Sequence, residues 1–153
     1  MTQRIFEVIY IRATPAAVWR ALTDPDVTER YWFDTRILSD WRVGSAVEYL
    51  RHGELTDRHV VLSCDPPHRL SHTFQPVFGE YRREAPSRVA FDVAGYNGVV
   101  RLAILHDGFP PDSQVYRACS DGWPMILSNL KTLLECGTPL PDFEFAPQPA
   151  RFA

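Results

Sequence analysis

The chain has 153 residues, 45% of them hydrophobic, enough for one domain with its own core. Its formal net charge of −3 at pH 7, a single lysine at Lys131 and the lack of any Lys/Arg run argue against a binder of phosphate backbones, so no nucleic-acid partner is expected. Arg4 and Glu7 interrupt the apolar N-terminus and no apolar run approaches the roughly 18 residues of a membrane span, so the expectation is a cytoplasmic chain with neither signal peptide nor span.

Gln3 to Arg12 is rich in β-branched and aromatic residues, with Phe6, Val8 and Tyr10 on one face and Ile5, Ile9 and Ile11 on the other. That pattern predicts a first strand covered on both sides. Thr14-Pro15 then supplies an N-cap and first-turn pair for a short helix, Ala16 to Leu22, which carries Val18, Trp19 and Leu22. Asp24-Pro25 repeats the start signal for a second short helix to about Tyr31, leaving Trp32 and Phe33 at its exit. Strands are expected over Thr35 to Leu38 and, after a turn at Gly44, over Ala46 to Arg51, which includes Tyr49. Trp41 lies beside that turn.

After a turn at His52-Gly53, Leu55 to Cys64 alternates, with Arg58, Val60, Leu62 and Cys64 on one face and His59, Val61 and Ser63 on the other. We expect the face carrying Arg58, Val60 and Leu62 to look inward. Asp65-Pro66-Pro67 ends that strand, and Arg69 to Gln75 follows with Leu70, His72 and Phe74 on its apolar face. Pro76 to Pro86 has no period and reads as a solvated connection. Ser87 to Ala94, carrying Phe91, and Val99 to His106 form a hairpin about a turn near Gly95 to Gly98. Asp112 is expected to cap a short helix through Ala118.

A separate long helix is predicted over Asp121 to Cys136, capped by Ser120 or Asp121, with Pro124 in its first turn and Gly137 as its stop. Trp123, Ile126, Leu127, Leu130, Leu133 and Leu134 make one stripe at helical spacing. Burying six such side chains is worth about 9–18 kcal/mol as an upper bound, which requires a broad apolar surface for the helix to lie on. The architecture that provides one is α+β, an antiparallel sheet with its helices on one face. Domain boundaries follow: one domain over residues 1–138 and a Pro-rich tail over 139–153, with Phe143, Phe145 and Phe152 available to adhere to the body.

The stretches TPAAVWRALTDPDVTERYW (Thr14 to Trp32), the glycine of WRVG (Trp41 to Gly44), RLAILHDGF (Arg101 to Phe109) and GWPMILSNLKTLLECG (Gly122 to Gly137) resemble the activator of heat-shock-protein-90 ATPase homologue-like branch of the START-type, helix-grip (SRPBCC) superfamily. The likeness spans roughly residues 3 to 138. It implies a curved antiparallel sheet of about seven strands wrapped round a long C-terminal helix, with a cavity that takes apolar molecules in related families. It carries no catalytic motif to transfer to this chain.

For chemistry, His72 between Leu70 and Phe74 is either a ligand-orienting imidazole or a core-edge residue satisfied by a backbone carbonyl. Arg58 either meets an anionic ligand at the cavity mouth or pairs on the surface with Glu48 or Asp57. His106 and Asp107, adjacent on a strand, point to opposite faces and read as a structural turn. Cys64, Cys119 and Cys136 are odd in number and lack a CxxC, so they read as reduced thiols, with Cys64 a small hydrophobe. No catalytic residue, metal site or cofactor is expected. The candidate cavity residues are Trp19, Trp32, Phe33, Trp41, Tyr49, Arg58, Val60, Leu62, His72, Phe74, Phe91, Trp123, Leu127 and Leu130, and the aromatics among them serve equally to line a pocket or to fill it. Binding of a small apolar or aromatic ligand is the first functional expectation. The alternatives are a polyketide-cyclase or dehydratase-like enzyme using His72, and a co-chaperone-like module with a protein partner or a second copy of itself.

Overall fold

A computed structural model describes residues 3–141; the tail phenylalanines Phe143, Phe145 and Phe152 lie outside the described residues. Strand β1 (Ile5–Ile11) is followed by helices α1 (Pro15–Thr23) and α2 (Pro25–Tyr31). Six further strands come next: β2 (Thr35–Ser39), β3 (Ala46–Arg51), β4 (Glu54–Asp65), β5 (Arg69–Phe74), β6 (Ser87–Tyr96) and β7 (Val99–Asp107). A short 3-10 helix, Gly79–Arg83, interrupts the connection between β5 and β6, and α3 (Gln114–Cys136) closes the domain. All strand pairs are antiparallel, in the order β1-β7-β6-β5-β4-β3-β2. This is the helix-grip α+β fold.

Local chemistry accounts for the helix starts. Thr14 accepts from the Ala17 N–H and Asp24 from the Asp26 N–H, each followed by proline in the first turn. Gly95 lets α1 approach the sheet, because a Cβ there would lie 2.8 Å from Pro15 Cγ.

The long helix starts earlier than its sequence suggests. Ser113, not Ser120 or Asp121, is the N-cap and accepts from the Tyr116 N–H, and the segment read as a separate short helix is the first part of α3. Pro124 therefore sits in the helix interior, on an exposed face, and the helix continues through it to Gly137, whose φ of 82° forms the left-handed cap. Its missing N–H is tolerated because the buried stripe of Trp123, Ile126, Leu127, Leu130 and Leu133 holds both sides of the helix on the sheet.

Two ties fasten this roof. At its N-terminus the Glu84 carboxylate accepts from Ser113 Oγ (2.6 Å), the Gln114 N–H (2.7 Å) and the Val115 N–H (3.3 Å). Near its C-terminus Lys131 donates to the Tyr10 carbonyl (2.5 Å) and to Glu135, which also accepts from the Arg12 N–H.

Strand β1 is not covered on both sides. Phe6 and Tyr10 are more than half exposed, whereas Ile5 and Ile11 are buried, because the helices all pack on the other face of the sheet.

Candidate functional site

The space beneath α3 is divided. Under its C-terminal half Leu127, Leu130 and Leu133 are buried in the hydrophobic core. Under its N-terminal half an open cavity of about 500 Å³ remains, roofed by Val115, Cys119, Gly122, Trp123 and Ile126. Trp32, Tyr49, Asp57 and Phe74 form its floor and wall, and Arg51, Glu54, Leu55, Phe78 and Tyr81 its lip. The connection read as merely solvated thus supplies part of the lip. Aromatic edges seal the inner end, with Trp32 against Trp123 (5.5 Å between centroids) and against Tyr49 (5.7 Å).

Gly122 deserves its place in the roof only by what it omits. It is buried in the middle of α3, where glycine costs about 1 kcal/mol relative to alanine, yet a Cβ added there would meet nothing within 4 Å. Packing does not demand a glycine at this point; the missing side chain enlarges the cavity.

The polar part of the floor comes from β3 and β4. A bulge between Tyr49 and Leu50 sets Tyr49 directly opposite Asp57, and Val47 opposite His59. Gln75 donates its backbone N–H to His59 Nδ1 (2.8 Å), which places the imidazole proton on Nε2. That Nε2 lies 3.9 Å from Asp57 Oδ2. Neither His59 Nε2 nor Tyr49 Oη has a hydrogen-bond partner among the described residues, although His59 is 0% and Tyr49 4% exposed. Two buried donors left unpaired are costly; the Tyr49 side chain lines the cavity whereas His59 lies behind its wall, and neither polar atom is open to it.

Burial sets the charges here. It pushes the Asp57 carboxyl up to about 6, against the opposing effects of the Thr56 hydrogen bond and the Arg51 charge. It raises the Tyr49 phenol well above its ordinary value, with Asp57 adding to the effect, so Tyr49 remains a donor. The Cys119 thiol is likewise raised by burial and by the Asp57 and Glu84 charges. His59 is held neutral by burial and by its neighbours His72 and His106.

His59, His72 and His106 form an inner aromatic layer with Phe74, which lies 4.7 Å from both His59 and His106, while His59 stacks on His72 at 4.8 Å. His72 Nδ1 donates to the Thr73 carbonyl (2.6 Å), and burial lowers it to about 4. His106 is no simple turn residue. Its Nδ1 accepts from Trp123 Nε1 (3.0 Å) and its Nε2 donates to Ser87 Oγ (2.8 Å), fixing the tryptophan of the roof to the sheet. Burial, then His72, lowers His106 to about 3. Among the described residues no group of three or more His, Cys, Asp or Glu is disposed to hold a metal ion.

Of the residues expected at the cavity, Trp32, Phe33, Tyr49, Phe74 and Trp123 line it. Phe91, Leu127 and Leu130 are buried in the packed core instead, and Trp19 and Trp41 pack half-buried against that core. His72 is behind the wall and satisfied by its backbone carbonyl, which removes it as the polar anchor or acid/base.

Contrary to the expectation from alternation, Arg58, Val60 and Leu62 do not look inward. They are exposed on the outer side of β4, with Val60 and Leu62 each 43% accessible, and Arg58 pairs with Glu48 at 3.3 Å. Asp57, His59 and Val61 point inward, and a second bulge between Val61 and Ser63 reverses the alternation so that Cys64 packs on the core while Val60 and Leu62 do not. Asp57, Cys119 and Gly122 line the cavity without any local signal in the sequence. The inward pair of a large ring on β3 and an acid on β4 shows only once the bulged register is known.

The family model described as Activator of Hsp90 ATPase homolog 1-like protein matches residues 12–135. Among solved structures, CalU16 from Micromonospora echinospora is 24% identical with a TM-score of 0.71, over 92% of this chain and 78% of that one. The Aha1 dimer from Colwellia psychrerythraea is 20% identical with a TM-score of 0.72, over 88% and 98%. An HSP90 activator from Plasmodium falciparum is 16% identical with a TM-score of 0.71, over 86% and 95%. At these identities the likeness is one of fold. No curated protein matches the chain.

Proposed function

Since the chain belongs to the Activator of Hsp90 ATPase homolog 1-like family, whose fold supports a ligand-binding or co-chaperone-like module, we propose that it binds a small, mainly apolar or aromatic molecule in the cavity under α3, without acting on it chemically. The observation that carries this reading is the open space of about 500 Å³ beneath Gly122, within the size range of small-molecule sites and walled largely by aromatic and aliphatic side chains. A filled core of the same fold would be more stable. Thermal unfolding against a panel of fatty acids, sterols and planar aromatic compounds tests the reading, because a ligand at 100 times its Kd stabilises by about 2.7 kcal/mol. A rise in Tm with part of the panel is expected, and mass spectrometry under native conditions should show the same compound bound at unit stoichiometry. No shift across the panel at high concentration would overturn the reading.

A second reading rests on the relatives. Two neighbours of the same fold are described as an Aha1 dimer and an HSP90 activator, which supports a protein partner, or a second copy of this chain, on the outer surface. Phe6 and Tyr10, more than half exposed on β1, are the apolar residues such a contact would cover. A pull-down that recovers no chaperone alongside a working control, together with a monomeric mass in solution, would remove this reading.

A further inference from the structure

Asp57 is a buried acid on the cavity surface, and no cation of the protein meets it. Its side chain points inward from β4, lines the cavity and is 10% accessible, so it offers an occupant the surface that the sealed Tyr49 hydroxyl and His59 imidazole do not. Among the described residues the basic nitrogen within 4 Å of its carboxylate is His59 Nε2 at 3.9 Å, and burial keeps that ring neutral. Thr56 gives it a side-chain hydrogen bond but no charge. Arg51, the cation of the lining, is exposed at the lip, opposite Glu54 in the register and 5.8 Å over the Phe33 ring.

We propose that the cavity takes an amine with an otherwise apolar or aromatic body, and that Asp57 receives its ammonium group. This rests on the cavity being a ligand site and adds the chemical class of what it holds. The carboxylate is largely out of water before any ligand arrives, so pairing relieves a cost the fold already bears and only the ammonium has to be desolvated. Aromatic rings make up much of the surrounding wall, and their faces attract a cation in a dry site. An anion meets the reverse, since Asp57 and Glu54 outnumber Arg51 on the lining and the Asp57 and Glu84 charges both raise the Cys119 thiol of the roof.

The same geometry gives the interaction a pH signature. Burial holds Asp57 at about 6, so it is mostly ionised at pH 7.5 and mostly protonated at pH 5. Of the groups facing it, Tyr49 on β3 and Cys119 on α3 are raised by burial and His59 on β4 is lowered by it, so all three stay neutral across that range. Arg51, Glu54 and Tyr81 stand at the lip, and Glu84 is engaged at the start of α3.

Four probes that share a naphthyl-CH2 body separate the effects: 2-(aminomethyl)naphthalene, 2-ethylnaphthalene, 2-naphthalenemethanol and 2-naphthylacetate. Calorimetry or ligand-detected NMR on the full chain at pH 7.5 should show the amine binding about tenfold tighter than the hydrocarbon or the alcohol, and the carboxylate weakest. At pH 5 the amine, still an ammonium, should bind about tenfold more weakly than at pH 7.5, while the hydrocarbon changes far less. Asp57→Asn should weaken the amine about tenfold more than it weakens the hydrocarbon and should abolish the pH dependence. Equal affinities for amine and hydrocarbon or for amine and alcohol, tightest binding of the carboxylate, or an amine affinity that ignores both pH and Asp57→Asn would overturn the ammonium site while leaving the cavity a ligand site. If none of the four binds, the ammonium site falls, and the broader panel decides separately whether the cavity is a ligand site at all.

Discussion

Tyr49 and Asp57 face each other across the β3–β4 pair, one presenting a buried hydroxyl without an acceptor and the other a buried carboxyl whose proton affinity is raised to about 6. The Tyr49 ring packs in the core, but neither polar group adds to the stability of the fold. On the proposed reading, costly polar groups in the wall of an open cavity are retained for what the cavity binds.

Asp57→Asn should therefore stabilise the unliganded protein. The folded value of about 6 lies above the ordinary value of 3.8, so the native state holds a proton that the unfolded chain releases between those pH values. Stability from this group falls as pH rises through that window, and the full cost stands above pH 6. The variant should gain about 1–3 kcal/mol at pH 7.5 in urea unfolding, and the gain should vanish near pH 4. A destabilised variant at pH 7.5 would mean that the ionised carboxylate is well paired in the native state.

The buried histidines act with the opposite sign. His72 at about 4, His106 at about 3 and His59, lowered further by its neighbours, all lie below the ordinary value of 6.5. Below pH 6.5 the unfolded chain takes up protons that the native state refuses, so stability drops as pH falls, at about 1.4 kcal/mol per pH unit for each proton not offset by Asp57. Urea unfolding between pH 7.5 and 5 should show this decline. A flat profile would contradict the burial of the imidazole layer.

Glu84 ties the cavity lip to the roof by three hydrogen bonds at the start of α3. Glu84→Ala should cost about 1–2 kcal/mol, as loss of a charged helix cap does, and hydrogen exchange should quicken over residues 114–118 while the C-terminal half of α3 stays protected. Uniform acceleration along the whole helix would show that the roof does not open from this end.

The three thiols should react in a fixed order. Cys136 is exposed, Cys64 is half-buried with a thiol raised by burial, and Cys119 lines the cavity with its thiol raised much further. A maleimide should label Cys136 first and Cys119 last, as read by peptide mass spectrometry. Early labelling of Cys119 would indicate a roof far more mobile than its ties allow.

The seven strands, two capped short helices and a closing helix were legible in the sequence, because period-two alternation and the Thr14-Pro15, Asp24-Pro25 and Gly137 signals are local. The extent of α3 was not. Pro124 looked like a first-turn residue, and only tertiary burial of the stripe on both sides carries the helix through it. The faces of β4 were also hidden, since Val60 and Leu62 on one side and Val61 on the other give no clear amphipathic choice. Bulges at Tyr49/Leu50 and at Val61/Ser63 then decide which residues oppose which. Five aromatics of the cavity wall were found by bulk and position, whereas its polar floor needed the register.

On the proposed reading, the space beneath Gly122 is kept open for an occupant. Gly122→Leu fills that space from a position where added atoms meet open room, and replaces a mid-helix glycine by a good helix former. The Tm shifts of wild type and variant, with and without each compound that binds the wild type, test it most directly. The variant should be more stable alone by about 1 kcal/mol or more and no longer stabilised by any ligand. A variant that keeps the full ligand-induced shift would show that the compounds bind elsewhere and would contradict the account.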